Sequence, residues 1–153
     1  IVTGYQICKN FMNNDTSLET ETYLSDVEIN GNEILYYFDY TIDNYPVLLS
    51  EAVQKEFDMP HAIEFCVRGN SVRKYKRYAH NFKAVDIKDK EISVEFLGAL
   101  DQAIEQYQIN HEELEVKEVE DMYLAYFVEP NFTVTMKWIT ELYHELYIGK
   151  TMK

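Results

Sequence analysis

The sequence predicts an α+β fold in which helices pack on an antiparallel sheet, and three observations carry that prediction. A tight-turn dipeptide, Asn30-Gly31, sits between two alternating segments. Short apolar runs recur between turn residues in the stretches HAIEFCVRG and EDMYLAYFV. Segments of helical periodicity interrupt these runs singly, without the strict βαβ alternation of a doubly wound sheet. At 153 residues the chain fits one domain, 1–153, able to bury most of its apolar surface without a metal or disulfide staple.

Taken in order, residues 2–11 alternate well enough for a strand, and MNNDTSLE at 12–19 reads as a loop. The hairpin ETYLSDVEIN and NEILYYFDYTID follows, with Ile34, Tyr36, Phe38, Tyr40 and Ile42 on one face of its second strand. Glu33, Leu35, Tyr37, Asp39, Thr41 and Asp43 take the other face. Pro46 suits a first helical residue, and Leu48, Leu49, Ala52, Val53 and Phe57 share one side of a helix at about 46–58, ended by Pro60. HAIEFCVRG then reads as a buried strand.

At 100° per residue, Val72, Tyr75, Tyr78, Ala79 and Phe82 fall on one arc. Arg73, Lys74, Lys76, Arg77, His80 and Lys83 fall on the other, which predicts an amphipathic basic helix at about 71–82. Two short strands are expected around Asp89, and a helix at about 98–108. Asn110 and Glu113 have the spacing of a capping box for a short helix at 111–117. EDMYLAYFV pairs with FTVT across a turn at Pro130, and a fourth main helix at about 136–148 closes the chain. No internal repeat, low-complexity tract or linker is evident.

Charge falls in three blocks: net −10 over residues 1–67, +6 over 68–90 and −9 over 91–153, within a total of −13. At physiological salt such blocks act largely as separate surfaces, so net charge excludes neither a basic nor a polyanionic partner. No apolar run is long enough for a transmembrane helix, and no membrane partner is expected. Cys8 and Cys66 lack metal or redox spacing and are expected as buried thiols of a cytoplasmic protein, with a single bridge between them as the alternative.

No nucleophile elbow, P-loop or dinucleotide motif occurs, and His111-Glu112 lacks the second histidine of a zinc helix because position 115 is Glu. His61 with Cys66, or His144 with a distant carboxylate, are chance pairings in so acidic a chain. No catalytic residue, metal ligand or cofactor is expected, and an enzyme with an unrecognised site stands third among the readings.

The first reading is a small inhibitor that occupies the basic, nucleic-acid-binding surface of another protein, such as a nuclease or a nucleic-acid-guided effector. Its surface would combine Glu33, Tyr37, Asp39, Asp43 and Tyr45, flanked by Tyr23, with Glu112, Glu115 and Glu118, acids for complementarity and tyrosines as anchors. Anti-CRISPR, anti-restriction and nuclease-immunity proteins are similar in size and charge, an analogy of composition alone. The second reading is direct nucleic-acid binding through Arg73, Lys74, Lys76, Arg77, His80 and Lys83. Against it, the same cations can serve as a second contact or pair with the chain's own carboxylates.

Overall fold

In the computed structural model, which describes residues 2–78, 96–130 and 133–149, the α+β expectation holds, with a mixed, mostly antiparallel sheet. The elements run α1 (Val2–Asn13), β1 (Thr22–Asn30), β2 (Glu33–Ile42), β3 (Tyr45–Leu49), α2 (Glu51–Phe57), β4 (Ile63–Arg68) and β5 (Ser71–Arg77). They continue with α3 (Phe96–Asn110), β6 (Asp121–Val128), β7 (Val134–Leu142) and β8 (Glu145–Ile148). Three helices therefore stand among the described residues where four were expected. The sheet order is β5-β4-β2-β3-β6-β7-β8, with β1 on the other edge of β2 and β3 parallel to β6. No helix of the described residues is long and apolar enough to cross a membrane.

Several elements depart from the sequence reading, each for a local reason. Residues 2–13 form a helix because Gly4, Cys8 and Met12 recur every fourth position and are the ones buried. The helix beginning at Pro46 is instead strand β3, whose Tyr45 and Pro46 pair back onto β2 across an Asp43-Asn44 turn with φ of 51° and 67°. The helix starts later, where Ser50 Oγ accepts from Val53 N at 3.3 Å.

The basic segment is strand β5, paired antiparallel with β4. Val67 pairs with Val72 and Cys66 with Lys74, so Arg73 is an extra residue in the ladder. That bulge brings Val72 and Tyr75, three apart, onto one face against the core, which imitates a helical spacing. His80 and Lys83, with the strands expected around Asp89, lie outside the described residues. Residues 111–117 hold a turn followed by irregular chain, Glu112 and Glu113 both having positive φ, and no capping box forms there. The last expected helix is the β7–β8 hairpin. Its turn, Tyr143-His144, has φ of 49° and 66° at residue types that do not announce it.

A repeat invisible in the sequence organises the sheet. The element order α1-β1-β2-β3 recurs as α3-β6-β7-β8, displaced by 100 residues. Thr22↔Tyr40, Tyr23↔Asp39 and Leu24↔Phe38 match Met122↔Thr140, Tyr123↔Ile139 and Leu124↔Trp138. Tyr40↔Val47 and Ile42↔Tyr45 match Thr140↔Tyr147 and Leu142↔Glu145. Over these strands only Tyr23/Tyr123 and Leu24/Leu124 are identical, so burial and turn geometry are repeated while residues are not.

Both helices lie on the same face of the sheet. Cys8 and Met12 of α1 pack with Tyr36, Phe38 and Tyr40, while Ala103 and Tyr107 of α3 pack on Leu142. Gly4 permits the close approach of α1, since a Cβ there would sit 2.0 Å from Tyr36 Oη. On the opposite face Ala125, Phe127 and Ile139 form a separate cluster with Leu48 and Tyr123.

Candidate functional site

The expected acidic row along β2 does not form one surface. Glu33 lies at the far end of the strand, paired with Arg68 and accepting from the Cys66 thiol, contacts that hold its carboxyl below the usual range. Tyr37 and Asp39 are buried, the latter only 2% exposed. The alternation placed them correctly opposite Tyr36 and Phe38, but that face is covered as well. Tyr23 is half-buried, and desolvation with the nearby Asp39 charge pushes its hydroxyl up to about 12.

Asp43 and Tyr45, by contrast, are exposed and come together with residues from the second repeat. The β2–β3 turn, the start of β6 and the β7–β8 turn occupy one end of the sheet. A shallow depression there is lined by Asn44, Tyr45, Pro46, Asp121, Tyr123 and Glu141. Burial first, then the charges of Glu141 and Asp121, raise the Tyr123 hydroxyl.

The segment carrying Glu112, Glu115 and Glu118 is tied to the same end. Lys117 N donates to Tyr143 Oη at 3.0 Å, Glu120 N to Glu141 O at 3.0 Å, and His144 N to Glu120 Oε1 at 2.9 Å. His111 reaches Glu145 at 2.8 Å and is the first cause of that carboxyl's lowered pKa. Among the described residues, Asp43, Glu112, Glu113, Glu115, Glu118, Asp121 and Glu141 take part in no ion pair. Tyr45, Leu114, Val119 and Tyr143 are exposed among them. Glu120, Glu141 and His144 offer ligand atoms within 4.8 Å of one another, but the His144–Glu120 contacts account for that grouping without an ion.

The cations of β5 are largely engaged inside the molecule. Arg77 is nearly buried and binds Asp15 at 2.9 Å and Ser17 Oγ at 3.0 Å, while Tyr75 Oη donates to the same carboxylate at 2.9 Å. Hydrogen bonds from Ser17 and Tyr75, with Arg77 adding its charge, hold Asp15 below its usual range. Lys74 pairs with Glu64 at 3.1 Å, and Lys76 donates to the Asp58 carbonyl at 3.0 Å. Arg73, the bulge residue, is exposed.

On the face of the sheet opposite α1 and α3, Asp39 is a hub that the sequence did not reveal. Its Oδ2 accepts from Ser25 Oγ and meets His61 Nδ1 at 2.7 Å, and its Oδ1 accepts from Ala62 N at 3.1 Å. Burial opposes a charge on His61, but the hydrogen bond and charge of Asp39 outweigh it and raise the imidazole pKa above 6.5. His61 therefore meets Asp39 and not Cys66. Both cysteines are free and buried.

No protein-family model and no curated protein matches the chain.

Proposed function

We propose that the protein is a binding module that presents the acidic, tyrosine-bearing end of its sheet to a basic surface on another protein, acting as an inhibitor of a nucleic-acid enzyme. One observation carries the reading: Asp43, Asp121, Glu141 and the acids Glu112, Glu115 and Glu118 lie toward the end of the sheet that exposes Tyr45 and Tyr143, take part in no ion pair among the described residues, and outnumber Lys117, the single lysine of that stretch. Unneutralised carboxylates attract a basic partner and speed its encounter, and tyrosines supply contact area at low entropic cost. The β5 cations favour the intramolecular reading over a nucleic-acid track, because Arg77, Lys74 and Lys76 already have acceptors.

The test uses nuclease-treated lysate of the source cells, with wild-type protein and two variants as bait. A basic protein retained by wild type and by Arg73→Glu, but lost with Asp43→Lys/Asp121→Lys/Glu141→Lys, supports the reading. Retention unchanged by the triple reversal, with loss on Arg73→Glu, would sink it. Asp39 is left out of the reversal because a buried lysine there would unfold the chain rather than probe a surface.

A further inference from the structure

The face opposite α1 and α3 carries a second feature that owes nothing to the acidic end. Against Asp39 and His61 lies a cavity of about 310 Å³, otherwise walled mainly by Leu48, Phe127, Ile139 and Ile148. An apolar hollow with a few convergent polar groups is the usual form of a small-ligand site, and this volume is at its lower end.

The repeat shows which part of the hollow is architectural. Residue 48 corresponds to 148 and residue 39 to 139, and all four line the cavity. At 48 and 148 both units supply an aliphatic side chain. At 39 the first unit supplies a carboxylate and at 139 the second supplies isoleucine, 1% exposed. The strand geometry is therefore satisfied by a hydrocarbon at that position, whereas a buried carboxylate costs free energy unless it is fully partnered. Asp39 spends its acceptors on Ser25, Ala62 N and His61, and so fixes the imidazole with Nδ1 turned to the carboxylate. Nε2 makes no hydrogen bond among the described residues, and the His61 side chain remains 27% exposed.

We propose that this cavity binds a small neutral apolar compound bearing one hydroxyl, an alkylphenol in the simplest case, with the hydroxyl on His61 Nε2 and the hydrocarbon against Phe127, Ile139 and Ile148. A hydroxyl both donates and accepts, so it satisfies Nε2 in either protonation state. A carboxylate would add charge beside Asp39 in a chain of net −13, and an ether lacks the donor.

The test is an NMR titration of the full chain, labelled in Ile and Leu methyls and imidazole nitrogens, with 4-propylphenol and with propylbenzene. The expected result is saturable shifts of the Leu48, Ile139 and Ile148 methyls and of His61 Nε2 with the phenol, and binding of propylbenzene weaker by roughly two- to tenfold, as one lost hydrogen bond implies. His61→Ala should abolish the difference between the two ligands. Because that variant also strips Asp39 of a partner, Ile148→Trp at the half-exposed rim provides the second check and should exclude both ligands. Absence of saturable shifts, equal affinity for the two ligands, or a phenol preference that survives His61→Ala would overturn the proposal.

Discussion

Replacing Asp39 by alanine removes the acceptor that Ser25, His61 and the Ala62 N–H share. Ala62 is fully buried, so its N–H is left without water or protein partner, while His61 is exposed enough to recover hydration. Leaving a buried donor unpaired typically costs about 1–3 kcal/mol. For a chain of this length each kcal/mol lowers Tm by roughly 2–4 °C, which gives a fall of roughly 2–12 °C. The His61 pKa is raised on folding, so its pairing stabilises the protein fully below the unfolded value of 6.5 and the contribution fades as pH rises through the folded value. Urea denaturation on both sides of that window should show this decline in wild type and its absence in Asp39→Ala. Asp39→Asn, which keeps an acceptor for Ala62 N–H, should lose less stability and also lack the decline. A cost below about 1 kcal/mol for Asp39→Ala, or a pH dependence the same as wild type, would refute the assignment of Asp39 as the hub of this face.

Gly4→Ala should destabilise by about 1–3 kcal/mol in thermal melts, although alanine favours a helix, because the added carbon would lie 2.0 Å from Tyr36 Oη and 2.6 Å from its ring. Gly149→Ala, whose Cβ meets the Ala99 methyl at 3.1 Å, should cost less in the same assay. Deleting Arg73 should leave a folded protein within about 1 kcal/mol of wild type by urea denaturation, since removing a bulge residue leaves Val72, Lys74 and Tyr75 opposite their present partners. Deleting Lys76 should disrupt the Arg77–Asp15 contact and cost more. Burial pushes the Cys8 thiol up to about 12, so at mildly alkaline pH iodoacetamide should modify it only after unfolding, as followed by mass spectrometry.

Local signals made part of this fold legible. The Asn30-Gly31 hairpin is present, with Asn30 paired to Glu33 and Gly31 in the turn at a φ of 64°. The strands around Phe65 and Tyr126 and the helix through Ala103 are also where the pattern placed them. Two of the failures, β7 and β5, share one physical cause, the imitation of one period by another. In β7, Met136, Trp138 and Leu142 point to the helices while Ile139 fills the opposite cluster, so burial on both faces reads as a continuous helical stripe. In β5 the bulge at Arg73 turned a strand's spacing of two into three.

The acidic end was half legible. Local pattern marks exposed Asp43 and Tyr45, but their neighbours Asp121 and Glu141 arrive through the parallel β3–β6 pairing, which no local pattern encodes. Alternation puts Asp39 among the surface acids because it assigns a face without saying what covers it. His61 joins it from a loop 22 residues on, and no spacing rule connects the two.

The most direct test of the binding account is an amide chemical-shift titration of the intact protein with a basic target protein recovered by the capture experiment. The account predicts shifts concentrated at Asp43–Tyr45, Glu112–Asp121 and Glu141–His144, abolished by the triple reversal and weakened by salt. Shifts concentrated on β5 or α1, or spread evenly over the acidic residues of the whole surface, would contradict it.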